Sequence, residues 1–257
     1  MEFSTIIGII IAFAAIYYGT PDIKQDYTVY LQLESLILVL GGTIASTLIG
    51  TTLKDMKVII VSIFLMFFNK NKKTAENTIE YMVNLSTLSQ NGNKQQLVEV
   101  VKKEKNHFLE KAVTMVASGL DKEFIDQTLE RYIYEVGKRQ DKRILTVRTM
   151  GTYAPMFGMA GTVLGVMQVL KNISDIESIV NGMSLALLTT LYGLFLSSIL
   201  FIPLSHKMKR KSQEEHLKRE IIREGILMII DKEIPLKVNE YLSSYIKRDT
   251  NAKEKNN

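Results

Sequence analysis

Two stretches of this chain place small and hydroxyl-bearing residues at helical intervals. In the first, Gly158, Thr162 and Gly165 recur at i, i+4 and i+7, and Gly161 with Gly165 makes a GxxxG step. In the second, Gly182, Ala186, Thr189 or Thr190, Gly193 and Ser197 repeat the pattern. Wound into helices, residues at these spacings share a face. Two chemistries fit such a face. Small residues let helix backbones approach closely in a bilayer, which is packing alone and is the plainer reading. A threonine there often only bonds its own i−4 carbonyl. The sharper reading is a narrow polar path, in which the hydroxyls of Thr162, Thr189 and Thr190 face an ion beside Gly158 and Ala186.

Catalytic chemistry does not emerge. The three histidines, His107, His206 and His216, lack metal-ligand spacing. No phosphate-binding glycine loop or nucleophile elbow is present. The chain has no Cys, so disulfides, thiolate metal sites and thiol nucleophiles are excluded. The expectation is a protein that is not an enzyme and holds no metal or cofactor.

The elements that would carry the small-residue faces are apolar. The mean hydropathy of +0.07 averages two kinds of sequence. Residues 3–21, 35–53, 149–170 and 178–205 contain no Lys, Arg, Asp or Glu. A helix needs about 20 apolar residues to cross the hydrocarbon core, so these are four candidate spans. The first lacks the basic n-region of a cleaved signal peptide, since Met1 to Phe13 contains no Lys or Arg. A fifth run, Val58 to Phe68, has 11 residues and is too short to span. It reads as a helix at the membrane interface or against the neighbouring spans, with a core helix of the soluble part as the alternative.

Orientation follows from the basic residues, which short cytoplasmic loops retain. Of the 32, 16 lie between Lys54 and Arg143 and 13 between Lys207 and Lys255, with Arg148 at the edge of the third run. Only Lys24 and Lys171 fall on the other side. Both termini and the long loop are thus expected in the cytoplasm of a multi-pass membrane protein. The +5 net charge then reflects topology and an anionic leaflet, and calls for no nucleic acid.

The cytoplasmic part reads as helices over Thr74 to Gln90, broken by the Asn-Gly-Asn at 91–93, then Leu97 to Ser118, ending at Gly119. Asp121 is the expected N-cap of a further helix carrying Ile125, Leu129, Tyr132, Ile133 and Val136. Lys207 to Ile230 continues the last span, Pro235 interrupts it, and residues 251–257 read as disordered. The expected architecture is an all-α integral membrane protein with four transmembrane helices. A helical cytoplasmic domain lies between helices 2 and 3, and a cytoplasmic helix follows helix 4. The divisions are 1–53 for the first two spans, 54–147 for the cytoplasmic domain, 148–205 for the ion-path hairpin and 206–257 for the C-terminal helix and tail.

An ion-conducting chain usually keeps a carboxylate at membrane depth. These runs have none, with Glu34 only at the edge of the second. If ions pass, the carboxylate comes from another polypeptide.

At this point the residues resemble a family. Residues 151–170, GTYAPMFGMAGTVLGVMQVL, with 182–204, GMSLALLTTLYGLFLSSILFIPL, are similar to the third and fourth spans of the flagellar stator A subunits, the MotA/PomA family. Residues 4–19 resemble its first span, LVLGGTIASTLI at 38–49 its second, and KREIIREG at 218–225 with Pro235 its C-terminal cytoplasmic helix. The resemblance implies that A subunits form a ring, a pentamer, around two copies of a B subunit with a peptidoglycan-binding domain. Flow of H+ or Na+ drives rotation, and the cytoplasmic part of A pushes the rotor protein FliG. It implies that Pro155 and Pro203 set helix geometry and torque coupling. It also implies that Thr162, Thr189 and Thr190 occupy the hydroxyl positions of sodium-conducting members; Gly161, Gly165 and Gly193 are expected, from their spacing, to pack the helices. The sequence departs from the family where an Arg and a Glu should flank a glycine on the rotor-facing helix. With Gly92 on that glycine, Ser89 and Leu97 stand there instead, and Lys94, Glu99, Lys102 and Lys103 are the nearby substitutes. An ExbB/TolQ-like energiser of envelope machinery is the alternative.

Overall fold

The computed structural model describes residues 3–19, 28–68, 74–91, 94–104 and 106–246, and among these residues the regular structure is helical. In chain order the helices are α1 (Phe3–Gly19), α2 (Leu33–Gly50), α3 (Leu53–Phe68), α4 (Ala75–Asn91), α5 (Lys94–Lys102), α6 (His107–Ala117), α7 (Lys122–Lys171), α8 (Ile176–Phe195), α9 (Ile202–Ile230) and α10 (Pro235–Ser243). A 3-10 turn at Thr28–Tyr30 precedes α2, and a π-helical turn, Leu196–Phe201, joins α8 to α9. Helices α2, α7 and the joined α8–α9 are long and apolar enough to cross a membrane, by length and composition. Helix α1 is uncharged over its 17 residues.

The chain divides into two compact units. The first comprises residues 1–70 and 141–209, the second 71–140 and 210–257. In the first unit, α2 turns Ser35, Val39, Thr43 and Thr47 inward, four residues apart each time. Val39 meets Ala154 and Phe201 in one apolar cluster, and Ile59 of α3 meets Val147 and Leu204 in another. The short run at 58–68 therefore packs against the neighbouring long helices, while Ile60 and Val61 stay exposed on its other side. Lys142 of α7 holds α3 through Asp55, 2.9 Å away.

The second unit has its own core, built on Met82, Leu85, Val101, Ile125, Leu129, Ile221, Ile226 and Leu242. Asp121 accepts from the Phe124 amide at 2.9 Å, as an N-cap should, and Gly119 at φ +75° makes the turn that delivers it. Arg223 on α9 is ringed by Asp126, Glu130, Glu220 and Glu224. The expected helix over Leu97 to Ser118 is corrected to two. Helix α5 stops at Lys102, and Asn106 restarts the chain by capping the Leu109 amide at 3.3 Å. Asn at an N-cap competes for the backbone more strongly than an apolar period can hold it. Pro235 likewise opens α10 at N1, where its missing N–H costs nothing. Gly92, Asn93 and residues 251–257 lie outside the described residues.

Asp175 starts α8 by accepting from the amides of Glu177 and Ser178 and from the Ser178 hydroxyl. The Ser178 hydroxyl bond, ahead of the backbone bonds, holds this carboxyl below its ordinary pKa. A depressed folded pKa adds stability above the ordinary carboxylate range and loses it as pH falls through the lowered value. Amides in the first turn of α8 are therefore expected to exchange severalfold faster, relative to the intrinsic rate, once the pH is taken from neutral down through the lowered pKa of Asp175. Asp175→Ala should show that faster exchange already at neutral pH; equal protection in both proteins would refute the cap.

Candidate functional site

The seam between α7 and α8 is where the sequence-derived residues meet. A Cβ placed on Gly158 would lie 2.9 Å from the Thr189 carbonyl oxygen and 3.2 Å from the Thr190 Cα. On Gly193 it would lie 2.7 Å from the Ala154 carbonyl oxygen, and on Gly182 2.7 Å from that of Gly165. A Cβ on Gly165 would collide with the Gly182 carbonyl, and one on Gly161 with the Thr189 side chain. The two helices thus touch backbone to backbone, as small-residue faces permit.

The three threonines separate. Thr189 is fully buried under Gly161 and bonds Leu185 O at 2.8 Å and Ala186 O at 3.1 Å within its own helix. Thr162 and Thr190 instead face each other, with Oγ1 atoms 2.6 Å apart. Thr162 also lies 3.1 Å from Gly158 O and 3.3 Å from Ala186 O. Thr190 lies 3.2 Å from Ala186 O and 3.5 Å from Gly158 O. Two hydroxyls and two carbonyls therefore converge, with only two hydroxyl protons between the four oxygens. Surplus lone pairs make the cluster a partial ligand set for a hard cation, which oxygen donors suit. Neither helix adds a carboxylate there, and among the described residues no group of three or more His, Asp or Glu is placed to hold a metal ion.

Below this cluster the helices carry their two prolines. Pro155 has no N–H, so the Gly151 carbonyl loses its helical donor. The Ser197 hydroxyl donates to that carbonyl instead, at 2.6 Å and fully inside the protein. Ser197 lies within the π-helical turn, whose extra residue shows in the Ile202 amide bonding Ser197 O, five residues back. Pro203 follows directly, exposed, as the second residue of α9. The distortions of the two helices are thus locked together.

Three features were missed in reading the sequence. Gly42 on α2 faces the Phe157 ring, with no room for a Cβ. The stripe Ser35, Val39, Thr43 and Thr47 has a period of four that the sequence does display. Tyr192 packs against the cluster of Val39, Ala154 and Phe201 and bonds the segment before α2. Among the rotor-side residues, Glu99, Lys102 and Lys103 are exposed, and the Lys94 side chain lies outside the described residues.

A helical hairpin packed on glycine, with a polar oxygen cluster in its seam, suits a component of a membrane channel. Residues 100–221 match the MotA/TolQ/ExbB proton channel family, a family of channels and not of enzymes. Motility protein A of Bacillus subtilis is 26% identical over 96% of this chain and 91% of its own length. The chemotaxis protein PomA of Vibrio alginolyticus is 28% identical over 99% of both chains. In the flagellar MotAB stator complex from Bacillus subtilis, one chain matches with a TM-score of 0.84 at 26% identity, over 97% of this chain and 98% of that one. The fold is also that of a chain of C. jejuni MotAB, with a TM-score of 0.86 at 22% identity over 97% of both. In sequence and in fold, nearly end to end, the chain is similar to the A subunits of flagellar stators, the MotA/PomA proteins.

Proposed function

We propose that this chain is the A subunit of a flagellar stator, and that with a B subunit it forms an ion channel whose current turns the rotor. What carries the reading is the whole-length likeness, in sequence and in fold, to motility protein A and to a MotAB stator chain. In this reading the four apolar runs are four spans of the bacterial cytoplasmic membrane, in contact with its lipid, and both termini are cytoplasmic. Residues 54–147 and 206–257 form the cytoplasmic part. Copies of the chain surround the B subunits as a ring, a pentamer, and the B subunit supplies the carboxylate that 149–170 and 178–205 lack. The Thr162–Thr190 oxygens line its path. Pro155 and Pro203 transmit its movement to the cytoplasmic helices, and Glu99, Lys102 and Lys103, with Lys94, meet FliG. Deleting the gene in cells that still build filaments should abolish swimming, and restored swimming from a plasmid copy completes the test; normal swimming in the deletant would sink the reading.

The coupling ion of this reading is sodium. A proton needs an acceptor carboxylate, whereas a sodium ion stripped of water needs several oxygens to offset its desolvation. The Thr162–Thr190 cluster offers four within 3.5 Å of one another's hydroxyls. Swimming speed should rise with external sodium, replaced by potassium at fixed membrane potential. Thr162→Ala or Thr190→Ala should raise the half-saturating sodium by about tenfold, the equivalent of one lost charge-assisted ligand. Thr189→Ala should change that midpoint least. Speed independent of sodium in the wild type would rule the ion out.

A further inference from the structure

Tyr192 stands two residues beyond Thr190 on α8 and at the middle of the uncharged run 178–205. Its hydroxyl donates to the Tyr30 carbonyl at 2.5 Å and accepts from the Gln32 amide at 3.0 Å. Both groups belong to the backbone just before α2. Gln32 is the N-cap of that helix, and its side chain caps nothing; its Oε1 accepts from Ser35 at 2.7 Å. Backbone polar groups outside a helix need a partner from the protein wherever they are withdrawn from water. One phenol hydroxyl here answers a donor and an acceptor together, from a helix 160 residues away in sequence.

We infer that Tyr192 is a positioning residue of the ion path: its hydroxyl latches the start of α2 to α8 and so fixes the wall beside the Thr162–Thr190 pair. The inference rests on the stator reading for its functional half only. The latch adds to an apolar contact already in place, because the Tyr192 side chain packs against the cluster of Val39, Ala154 and Phe201. Phenylalanine would keep that ring packing and remove both hydrogen bonds, so the substitution isolates the hydroxyl. Its loss leaves an unpaired N–H and an unpaired C=O, which the segment can satisfy only by moving away from α8.

The test uses the full stator complex, wild type and Tyr192→Phe, by amide exchange in lipid nanodiscs and by rotation speed in cells against external sodium and against external pH. The Gln32 amide of the wild type should be protected, although helix N-termini leave their first amides without helical acceptors. In Tyr192→Phe, exchange over residues 28–35 should quicken by about tenfold, as for the loss of a partly buried hydrogen bond. Protection along α7 and α8 should hold, and the midpoint of speed against the coupling ion should shift by about threefold or more with membrane levels unchanged. A fast-exchanging Gln32 amide in the wild type would overturn the latch, even if the variant fails to accumulate. Altered exchange with an unmoved ion midpoint would overturn its role in the ion path. A cell whose swimming ignores the gene altogether would strike at the stator reading and leave the exchange result standing.

Discussion

Gly158→Leu and Gly193→Leu should each abolish swimming, with the chain still inserted in the membrane. The reason is backbone geometry: a Cβ on Gly158 would sit 2.9 Å from Thr189 O, and one on Gly193 2.7 Å from Ala154 O. Backbone atoms cannot rotate away as side chains can, so the whole of α8 must retreat from α7. Overpacking of this kind costs about 1–3 kcal/mol even where side chains can yield, and here they cannot. Retreat also parts Thr162 from Thr190, whose hydroxyls are 2.6 Å apart. The loss of function should therefore exceed that of Thr162→Ala. Gly41→Leu is the control, since a Cβ there would meet nothing within 4 Å. Normal swimming in either seam variant would show that the contact is not needed, and an equal loss in the control would show that bulk on any helix is harmful.

Ion leak should be absent from vesicles holding this chain alone and appear only when a B subunit is co-expressed. The motive is electrostatic. Residues 149–170 and 178–205 contain no ionisable carboxylate, and the seam offers only neutral oxygens. Neutral dipoles lower the cost of a desolvated cation, but a formal negative charge at depth lowers it far more. The measurement is decay of an imposed sodium or proton gradient in vesicles of the purified chain, compared with vesicles of the co-purified complex. A leak from the chain alone would mean that its own residues conduct, and the partner's carboxylate would no longer be required.

Much of this was legible in the residues. The uncharged runs and the spacing of Gly158, Gly161, Gly165 and Gly193 are properties of single helices, because periodicity and transfer free energy are local. Asp121 and Gly119 announced a helix start for the same reason. The break between α5 and α6 was hidden, since an apolar period runs across it while one Asn side chain decides the backbone. That Thr189 packs under Gly161 while Thr162 meets Thr190 depends on the rotation of α8 against α7, which no spacing along one helix encodes. The same holds for Ser197, 46 residues from the Gly151 carbonyl that Pro155 leaves without a donor, and for Tyr192 with Tyr30. Sequence fixes which face of each helix is small or polar; only the packed structure decides which polar groups become each other's partners, because a hydrogen bond needs its atoms within about 3 Å and that distance is set by neighbouring helices.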